Sequence, residues 1–176
     1  KHLLSLINDL LDLSKIEAGK LDIAASNVRL KDIVDDVARM TGPQAKDAKV
    51  TVETRLPPEN EELFADKRLI TQAILNIVAN ALKFSPPGSH VTLEVRLEGP
   101  NIVISVTDEG CGMTEHDVRH VLEPFYQAGD LETRRERGTG LGLPLARSIV
   151  ELHQGGLEVA SEIGIGTTVS MWLPRN

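Results

Sequence analysis

The sequence has 176 residues, of which 41% are hydrophobic, so it can form one domain with a buried core. Its formal net charge of −7 disfavours a nucleic-acid partner, which needs a positively charged surface. The single cysteine, Cys111, excludes an internal disulfide, and no apolar run reaches membrane-spanning length. Because the chain starts at Lys1 without Met or signal peptide, we expect a cytoplasmic segment of a longer protein, whether or not that protein is membrane-anchored.

Residues 1–20 are predicted to form an amphipathic helix with Gly19 as its C-cap. The broad apolar face of this helix must be buried against something. It can pack on its own domain or on a helix from outside this chain. We favour the second alternative, because no adjacent segment supplies a matching long amphipathic helix. The apolar positions are Leu3, Leu6, Ile7, Leu10, Leu11, Leu13 and Ile16.

The next segment is predicted to contain a strand and a helix. Residues 21–30 suggest a short strand that leads into a helix starting near Ser26 or Asn27. The helical pattern continues to about residue 48, and Pro43 is expected to kink or interrupt it. Residues 50–56 alternate between apolar and polar side chains, as a strand does, and a loop follows them.

The second half of the chain starts with a helix that Asp66 can cap and that runs to about Phe84. Because helices and strands do not alternate strictly, we expect an α+β fold. This fold is a two-layer sandwich, a mixed sheet with helices on one face, preceded by the N-terminal amphipathic helix. The further predicted elements are a hairpin of strands 90–98 and 101–109, a helix 115–123, a loop 127–138, a helix 144–153, and strands 156–161 and 167–173.

A polar stripe accompanies the apolar face of the helix that Asp66 caps. Asn76, Asn80 and Lys83 follow one another at spacings of four and three residues, which places them on one side of a helix. Amide oxygens are suitable ligands for Mg²⁺, and a lysine can bind phosphate. The alternative is an ordinary solvated helix face, and the stripe alone does not decide between the two.

Two further stretches carry candidate residues. In "TDEGCGM", Asp108 ends a strand, and Gly110 and Gly112 follow it. Two glycines so close together suggest that the backbone approaches a flat ligand, although a strand-ending turn uses the same residues. In "EPFYQ", Phe125 and Tyr126 precede the loop. They are interpreted as a hydrophobic anchor at the base of the loop, which is compatible with a functional role.

The stretch "GTGLGL" places three glycines, Gly138, Gly140 and Gly142, at the start of a helix. A helix N-terminus offers free N–H groups and partial positive charge, so this stretch suggests a phosphate site. Its spacing matches neither the G-x-x-x-x-G-K-[ST] loop nor the dinucleotide motif G-x-G-x-x-G. The basic segment "TRRERG" directly precedes the first glycine.

Taken together, "NIVANALKFS", "DEGCGM", "EPFYQ" and "GTGLGL" resemble, in order, the N, G1, F and G2 boxes of sensor histidine kinases. Residues 28–176 are thus similar to the ATP-binding catalytic domain of that family, within the GHKL superfamily. Residues 1–22 resemble the second helix of the family's dimerisation and histidine-phosphotransfer domain, which would be incomplete here. The resemblance implies ATP and Mg²⁺ as cofactors, a response regulator and a second copy of the chain as partners, and no contact of this segment with nucleic acid or membrane.

The resemblance also implies roles for individual residues. Asn80 would ligate a Mg²⁺ that bridges the ATP phosphates, with Asn76 beside it, and Lys83 would contact phosphate. Asp108 would accept a hydrogen bond from the adenine 6-amino group. The glycines after Asp108 would let the base lie against the backbone, and those of "GTGLGL" would let a lid fold over the triphosphate. The implied nucleotide-binding residues are Asn76, Asn80, Lys83, Phe84, Asp108, Gly110, Gly112, Arg137, Gly138, Thr139, Gly140, Leu141 and Gly142, with Arg134 and Arg135 as alternatives to Arg137.

The sequence departs from the family at the phospho-accepting histidine, whose H-E-x-x-T-P-like box is absent. His2, His90, His116, His120 and His153 are each interpreted as structural or surface residues, so no catalytic residue is assigned. We expect transfer of the γ-phosphoryl group of ATP to a histidine outside this chain, and no autophosphorylation by the chain alone. One alternative is a nucleotide-sensing pseudokinase or scaffold. The other is a GHKL ATPase, which is disfavoured because an asparagine occupies the position of that group's catalytic glutamate.

Overall fold

The computed structural model of the protein describes residues 2–58, 61–129 and 138–175. Its elements in chain order are α1 (His2–Glu17), β1 (Ser26–Arg29), α2 (Leu30–Ala48), β2 (Thr51–Arg55), β3 (Glu62–Ala65), α3 (Lys67–Phe84), β4 (His90–Glu98), β5 (Asn101–Asp108), α4 (Glu115–His120), α5 (Gly142–Leu152), β6 (Gly156–Glu162) and β7 (Gly166–Pro174).

A five-stranded mixed sheet with the strand order β2-β4-β5-β7-β6 forms one layer. The pair β2–β4 is parallel, and the other neighbouring strands in this sheet are antiparallel. Along β4, Val91, Leu93 and Val95 alternate with more exposed residues and enter the core, where α2, α3 and α5 form the second layer. The α+β fold, the mixed sheet and the 90–98/101–109 hairpin predicted from the sequence are confirmed.

The structure contains a second, two-stranded sheet; a short strand within residues 21–30 was predicted, but its partner strand was not. This sheet consists of β1 and β3, which pair antiparallel with Val28 opposite Leu63. The predicted helix start near Ser26 or Asn27 is wrong, because these residues belong to β1 and the helix begins at Leu30. Both strands have only four residues, which gives too few alternations for a clear pattern.

Helix α2 runs without a break through Pro43, so the predicted interruption is wrong. Val37, Thr41 and Ala45 are buried on one side of this helix, four residues apart. The Thr41 hydroxyl donates a hydrogen bond to the Val37 carbonyl oxygen at 2.8 Å. Packing of this face therefore holds the helix together, although a proline removes one of its backbone hydrogen bonds.

Helix α3 starts where the sequence predicted. The Asp66 side chain accepts hydrogen bonds from the backbone N–H groups of Arg68 and Leu69 at 3.0 and 3.2 Å, so it is the N-cap. His153, at the end of α5, is hydrogen-bonded to the same N-cap residue: its Nε2 accepts from the Asp66 backbone N–H, while its Nδ1 bonds to the Ile149 carbonyl oxygen. These contacts fix α3 relative to α5 and leave His153 in a structural role.

Helix α1 packs on its own domain along one side, as in the first of the two alternatives, while the preference for an outside partner stays a prediction for its other side. Leu13 is buried, and α1 contacts α5. The other side remains open, since Leu4, Ile7 and Leu11 are 66%, 44% and 51% exposed. Gly19, with a φ of +63°, ends the helix as predicted.

Candidate functional site

A cavity of about 300 Å³ lies between α3, the end of β5 and the start of α5. It contains residues from each of the four sequence stretches that resemble the family boxes, although these stretches are far apart in the chain. The predicted site residues that line it are Asn76, Asn80, Lys83, Phe84, Asp108, Gly112, Gly138, Thr139, Gly140 and Gly142.

The polar stripe of α3 forms one wall of this cavity. Asn76 Nδ2 donates a hydrogen bond to the carbonyl oxygen of Gly142, the first residue of α5, at 3.3 Å. A Cβ added to Gly142 would lie 4.0 Å from Asn80 Nδ2, so both asparagines stand beside the N-terminus of α5. Lys83 follows at the end of α3, with Nζ 5.8 Å from the centroid of the Phe84 ring. Amide oxygens, an ammonium group and a helix N-terminus thus face the same space.

Asp108, the last residue of β5, lines the cavity near Phe84 at the end of α3. Its Oδ1 accepts hydrogen bonds from the backbone N–H groups of Gly110 at 2.8 Å and Thr167 at 3.2 Å. Neither bond uses Oδ2. Burial raises the pKa of Asp108 above its usual range, although these two hydrogen bonds act in the opposite direction. The carboxylate is therefore fixed in orientation, and among the described residues its Oδ2 has no hydrogen-bond partner.

Gly110 and Gly112 are required by the protein's own backbone. A Cβ on Gly110 would lie 2.8 Å from both Asp108 Oδ1 and the Phe84 carbonyl oxygen. Gly112 has a φ of +70°, and its Cβ would lie 1.9 Å from the carbonyl oxygen of Glu162. Gly110 is not part of the cavity wall. The close approach predicted from these glycines is thus made to neighbouring chain segments, and room for a base is not needed to explain them.

The glycine-rich stretch is bonded to the "EPFYQ" segment. Gln127 Nε2 donates to the Gly138 carbonyl oxygen at 2.6 Å, and the Phe125 N–H donates to the Gly140 carbonyl oxygen at 2.9 Å. Gly140 has a φ of +70°, and its Cβ would lie 2.7 Å from the Tyr126 carbonyl oxygen. Phe125 and Tyr126 therefore belong to the anchor of this stretch.

Among the described residues, two predicted binding residues, Leu141 and Gly110, do not line the cavity. Leu141, the residue before α5, is fully buried in the core, and its N–H donates to the Thr139 hydroxyl at 3.2 Å. The arginines of the basic segment, Arg134, Arg135 and Arg137, lie outside the described residues, so their predicted phosphate contact stays a prediction.

The sequence reasoning missed several residues of the cavity wall. Asp9 of α1 is the least expected, because it comes from the segment predicted to pack on another helix. Burial, followed by the charge of nearby Asp12, raises the pKa of Asp9 above its usual range. Only the docking of α1 brings Asp9 to the cavity, so no local sequence signal could have assigned it. The other lining residues that were missed include Gln44, Met113 and Gln127.

The residues present suit a nucleotide with Mg²⁺ better than an all-protein metal site. No group of three or more His, Cys, Asp or Glu side chains arranged for a metal occurs among the described residues. Mg²⁺ characteristically takes one or two protein oxygens and completes its octahedron with phosphate and water. The Asn76 and Asn80 amides offer such oxygens, and Asp108 offers an acceptor to a base. The donor set therefore fits both groups.

Residues 65–176 match the sequence model of the family described as histidine kinase-, DNA gyrase B-, and HSP90-like ATPase. The chain belongs to this family. The non-motile and phage-resistance protein of Caulobacter vibrioides is 41% identical over 178 residues, which cover 99% of this chain and 21% of that protein. The histidine protein kinase DivJ of the same organism is 42% identical over 173 residues, which cover 98% of this chain and 29% of DivJ.

A solved structure of full-length ShkA in complex with AMPPNP superposes with a TM-score of 0.85 at 26% identity, over 99% of this chain and 36% of ShkA. The predicted resemblance to the ATP-binding catalytic region of a sensor histidine kinase is confirmed by these family relationships. The chain spans less than a third of the length of either Caulobacter relative. None of the described helices is long and apolar enough to cross a membrane.

Proposed function

We propose that this chain binds Mg·ATP as the phosphoryl donor of a sensor histidine kinase. The γ-phosphoryl group would pass to a histidine outside this chain and then to an aspartate of a response regulator. The proposal rests on the observation that one cavity is lined by the polar stripe of α3, by Asp108 and by the glycine-rich start of α5. The AMPPNP bound by the structurally similar ShkA supports a nucleotide at this place.

The phosphates are assigned to the α3 side of the cavity. Lys83 supplies positive charge, and the N-terminus of α5 supplies free N–H groups and a favourable dipole. Asn80, with Asn76 beside it, would hold the Mg²⁺. The cation, when bound, neutralises charge on the phosphates as the phosphoryl group leaves. Because phosphoryl transfer depends mainly on positioning and charge stabilisation, these residues need no nucleophile of their own.

The adenine is assigned to the Asp108 side. Oδ1 is held by the Gly110 and Thr167 N–H groups, so Oδ2 is the oxygen that would accept from the adenine 6-amino group. An ionised carboxylate only accepts hydrogen bonds, which selects a donor at that position of the base.

Hydrolysis of ATP is disfavoured by Asn76. ATPases of the same superfamily, whose sites resemble this one, carry a glutamate at the position that Asn76 occupies here. An amide is a poor base, and the Asn76 Nδ2 is engaged with the Gly142 carbonyl oxygen. The site therefore holds ATP for transfer to another group and does not activate water efficiently.

The partners of the parent protein also belong to this proposal. The exposed side of α1, which includes Leu4, Ile7 and Leu11, supports pairing with a second copy of the chain. A response regulator would receive the phosphoryl group from the histidine of the parent protein, in the cytoplasm.

Incubation of the chain with γ-labelled ATP and Mg²⁺ tests this proposal. We expect saturable binding of ATP, little release of phosphate and no acid-labile, base-stable label on the chain, since it lacks a phospho-accepting histidine box. Stoichiometric label of that kind would contradict the assignment of the acceptor outside the chain. Rapid steady release of phosphate would instead favour an ATPase.

A further inference from the structure

The cavity wall includes a carboxylate from outside the region that matches the family. Asp9 lies on α1, whereas the match begins at residue 65. Asp9 nevertheless lines the same cavity as Asn76 and Asn80, and its side chain is partly buried there. The nucleotide site of this chain is thus completed by a helix that is not part of the ATP-binding domain.

The position of Asp9 follows from the packing of α1 on α5 and from a hydrogen bond that links α1 to α3. Gln72 Nε2 donates to Asp12 Oδ2 at 3.3 Å, and neither of these residues lines the cavity. Asp9 lies about one turn before Asp12 on α1, and Asn76 lies about one turn after Gln72 on α3. Because Asp9 and Asn76 both line the cavity, the two helices run past each other in opposite directions. Asp9 is therefore placed on the Asn76 side of the Gln72–Asp12 hydrogen bond.

This placement puts a negative charge at the end of the cavity assigned to the phosphates. A carboxylate repels the phosphates of a metal-free nucleotide, and the repulsion is stronger near a partly buried group than in open water. The same carboxylate attracts a divalent cation, and carboxylate oxygens are preferred ligands of Mg²⁺. Lys83 acts in the opposite sense on the phosphates, from about one turn beyond Asn80 on α3.

We propose that Asp9 is a specificity-determining residue of the nucleotide site, which favours a nucleotide carrying a divalent cation and disfavours the metal-free form. This inference rests on the proposed function, since it assumes that the cavity binds a nucleotide with its phosphates beside α3. It goes further in assigning a role to α1: when α1 is docked, the site discriminates between the two forms of the nucleotide, and when α1 moves away, this discrimination weakens.

The test compares the affinity of the full chain for AMPPNP in excess Mg²⁺ and in EDTA, by calorimetric titration at low ionic strength. In Asp9→Asn, which keeps the size of the side chain, the metal-free affinity should rise and the Mg²⁺-dependent affinity should fall. The ratio of the two affinities should shrink about threefold to tenfold. Asp12→Asn is the matched control, because it removes the same charge one turn away, outside the cavity, and keeps an oxygen that can accept from Gln72 Nε2, so its ratio should change much less than that of Asp9→Asn.

An unchanged ratio in Asp9→Asn, or an equal change in Asp9→Asn and Asp12→Asn, would overturn the role of Asp9. If the original chain bound AMPPNP in neither condition, the proposed function itself would fail. A second measurement needs no variant: with Mn²⁺ in place of Mg²⁺, the paramagnetic ion bound with AMPPNP should broaden the amide NMR signal of Asp9 more than that of Asp12. Equal broadening, or none at either residue, would also overturn the inference.

Discussion

At the Asp108 end of the cavity, backbone groups hold the functional side chain, whereas at the Asn76–Asn80 end the functional groups are helix side chains with few bonds to the protein. Asp108 Oδ1 accepts two backbone N–H groups, and Gly112 fits against the Glu162 carbonyl oxygen with no space for a Cβ. The Asn80 side chain makes no hydrogen bond to another described residue. The proposed base end is therefore preformed, whereas the proposed phosphate end would be completed by what binds there.

The largest expected effect comes from disturbing the preformed end. Gly112→Ala would place a Cβ 1.9 Å from the Glu162 carbonyl oxygen at a φ of +70°. We expect the free energy of unfolding to fall by about 3 kcal/mol. Gly164→Ala is the control, since Gly164 has a φ of +78° and no atom within 4 Å of the added Cβ. It should lose only about 1 kcal/mol, from the backbone conformation alone. Equal losses in urea unfolding would show that the contact with Glu162 is unimportant.

Base selection sharpens the comparison at the same end. ATP should bind at least about tenfold more tightly than GTP, because guanine has a carbonyl oxygen where adenine has an amino group and would face the Asp108 carboxylate without a hydrogen bond. Asp108→Asn should relax this choice. The Gly110 and Thr167 N–H groups require an acceptor at the Oδ1 position, so the new amide NH₂ would replace Oδ2 and could donate to guanine.

Competition of ATP and GTP for a fluorescent nucleotide measures this preference in both forms of the chain. Equal affinity of the original chain for the two nucleotides would mean that Asp108 only ends a strand and that the adenine is wrongly placed.

Nucleotide binding measured with and without Mg²⁺ tests the Asn76–Asn80 end of the cavity. Asn80→Ala should weaken binding of Mg·AMPPNP about tenfold and should change binding in EDTA much less, because the lost amide oxygen acts through the cation. Arg68→Ala provides the control on the same helix, since Arg68 is exposed and does not line the cavity. If Asn80→Ala lost equal affinity with and without Mg²⁺, its role as a metal ligand would be removed.

Acidification should have the smallest effect, and it acts on the base end. The raised pKa of Asp108 means that its carboxylate becomes protonated at a higher pH than an ordinary aspartate, whose pKa is about 3.9. The base contact needs the ionised form, so nucleotide affinity should be full above the raised pKa and fall as the pH drops through it. Titrations across this range should show a steeper loss in the original chain than in Asp108→Asn, which corrects for titration of the nucleotide. Parallel curves would argue against the contact.

The sequence predicted the residues of the proposed phosphate end more completely than those of the proposed base end. Asn76, Asn80 and Lys83 belong to one helix, whose periodicity determines their common side without any knowledge of the rest of the fold. Asp108 could be placed at a strand end by the same local reasoning. The sequence alone could not show why residue 112 must be glycine, because its contact with Glu162 joins residues 50 positions apart in the chain.

Long-range packing also explains the other differences from the sequence predictions. Asp9 reaches the cavity only because Leu13 and its neighbours bury one side of α1 on the domain. Helix α2 continues through Pro43 because its buried face holds it. The short strands β1 and β3 exist because they pair with each other. None of these interactions leaves a pattern within a single segment.

The central claim is that one nucleotide lies across both ends of the cavity, with its base at Asp108 and its phosphates beside α3. Amide NMR spectra of the chain, recorded with adenosine and then with Mg·AMPPNP, test it most directly. We expect adenosine to shift the signals of Asp108, Gly110 and Gly112 only, and Mg·AMPPNP to shift in addition those of Asn76, Asn80 and Gly142. Shifts by adenosine at the α3 asparagines without shifts around Asp108, or no saturable shift with either ligand, would contradict the account.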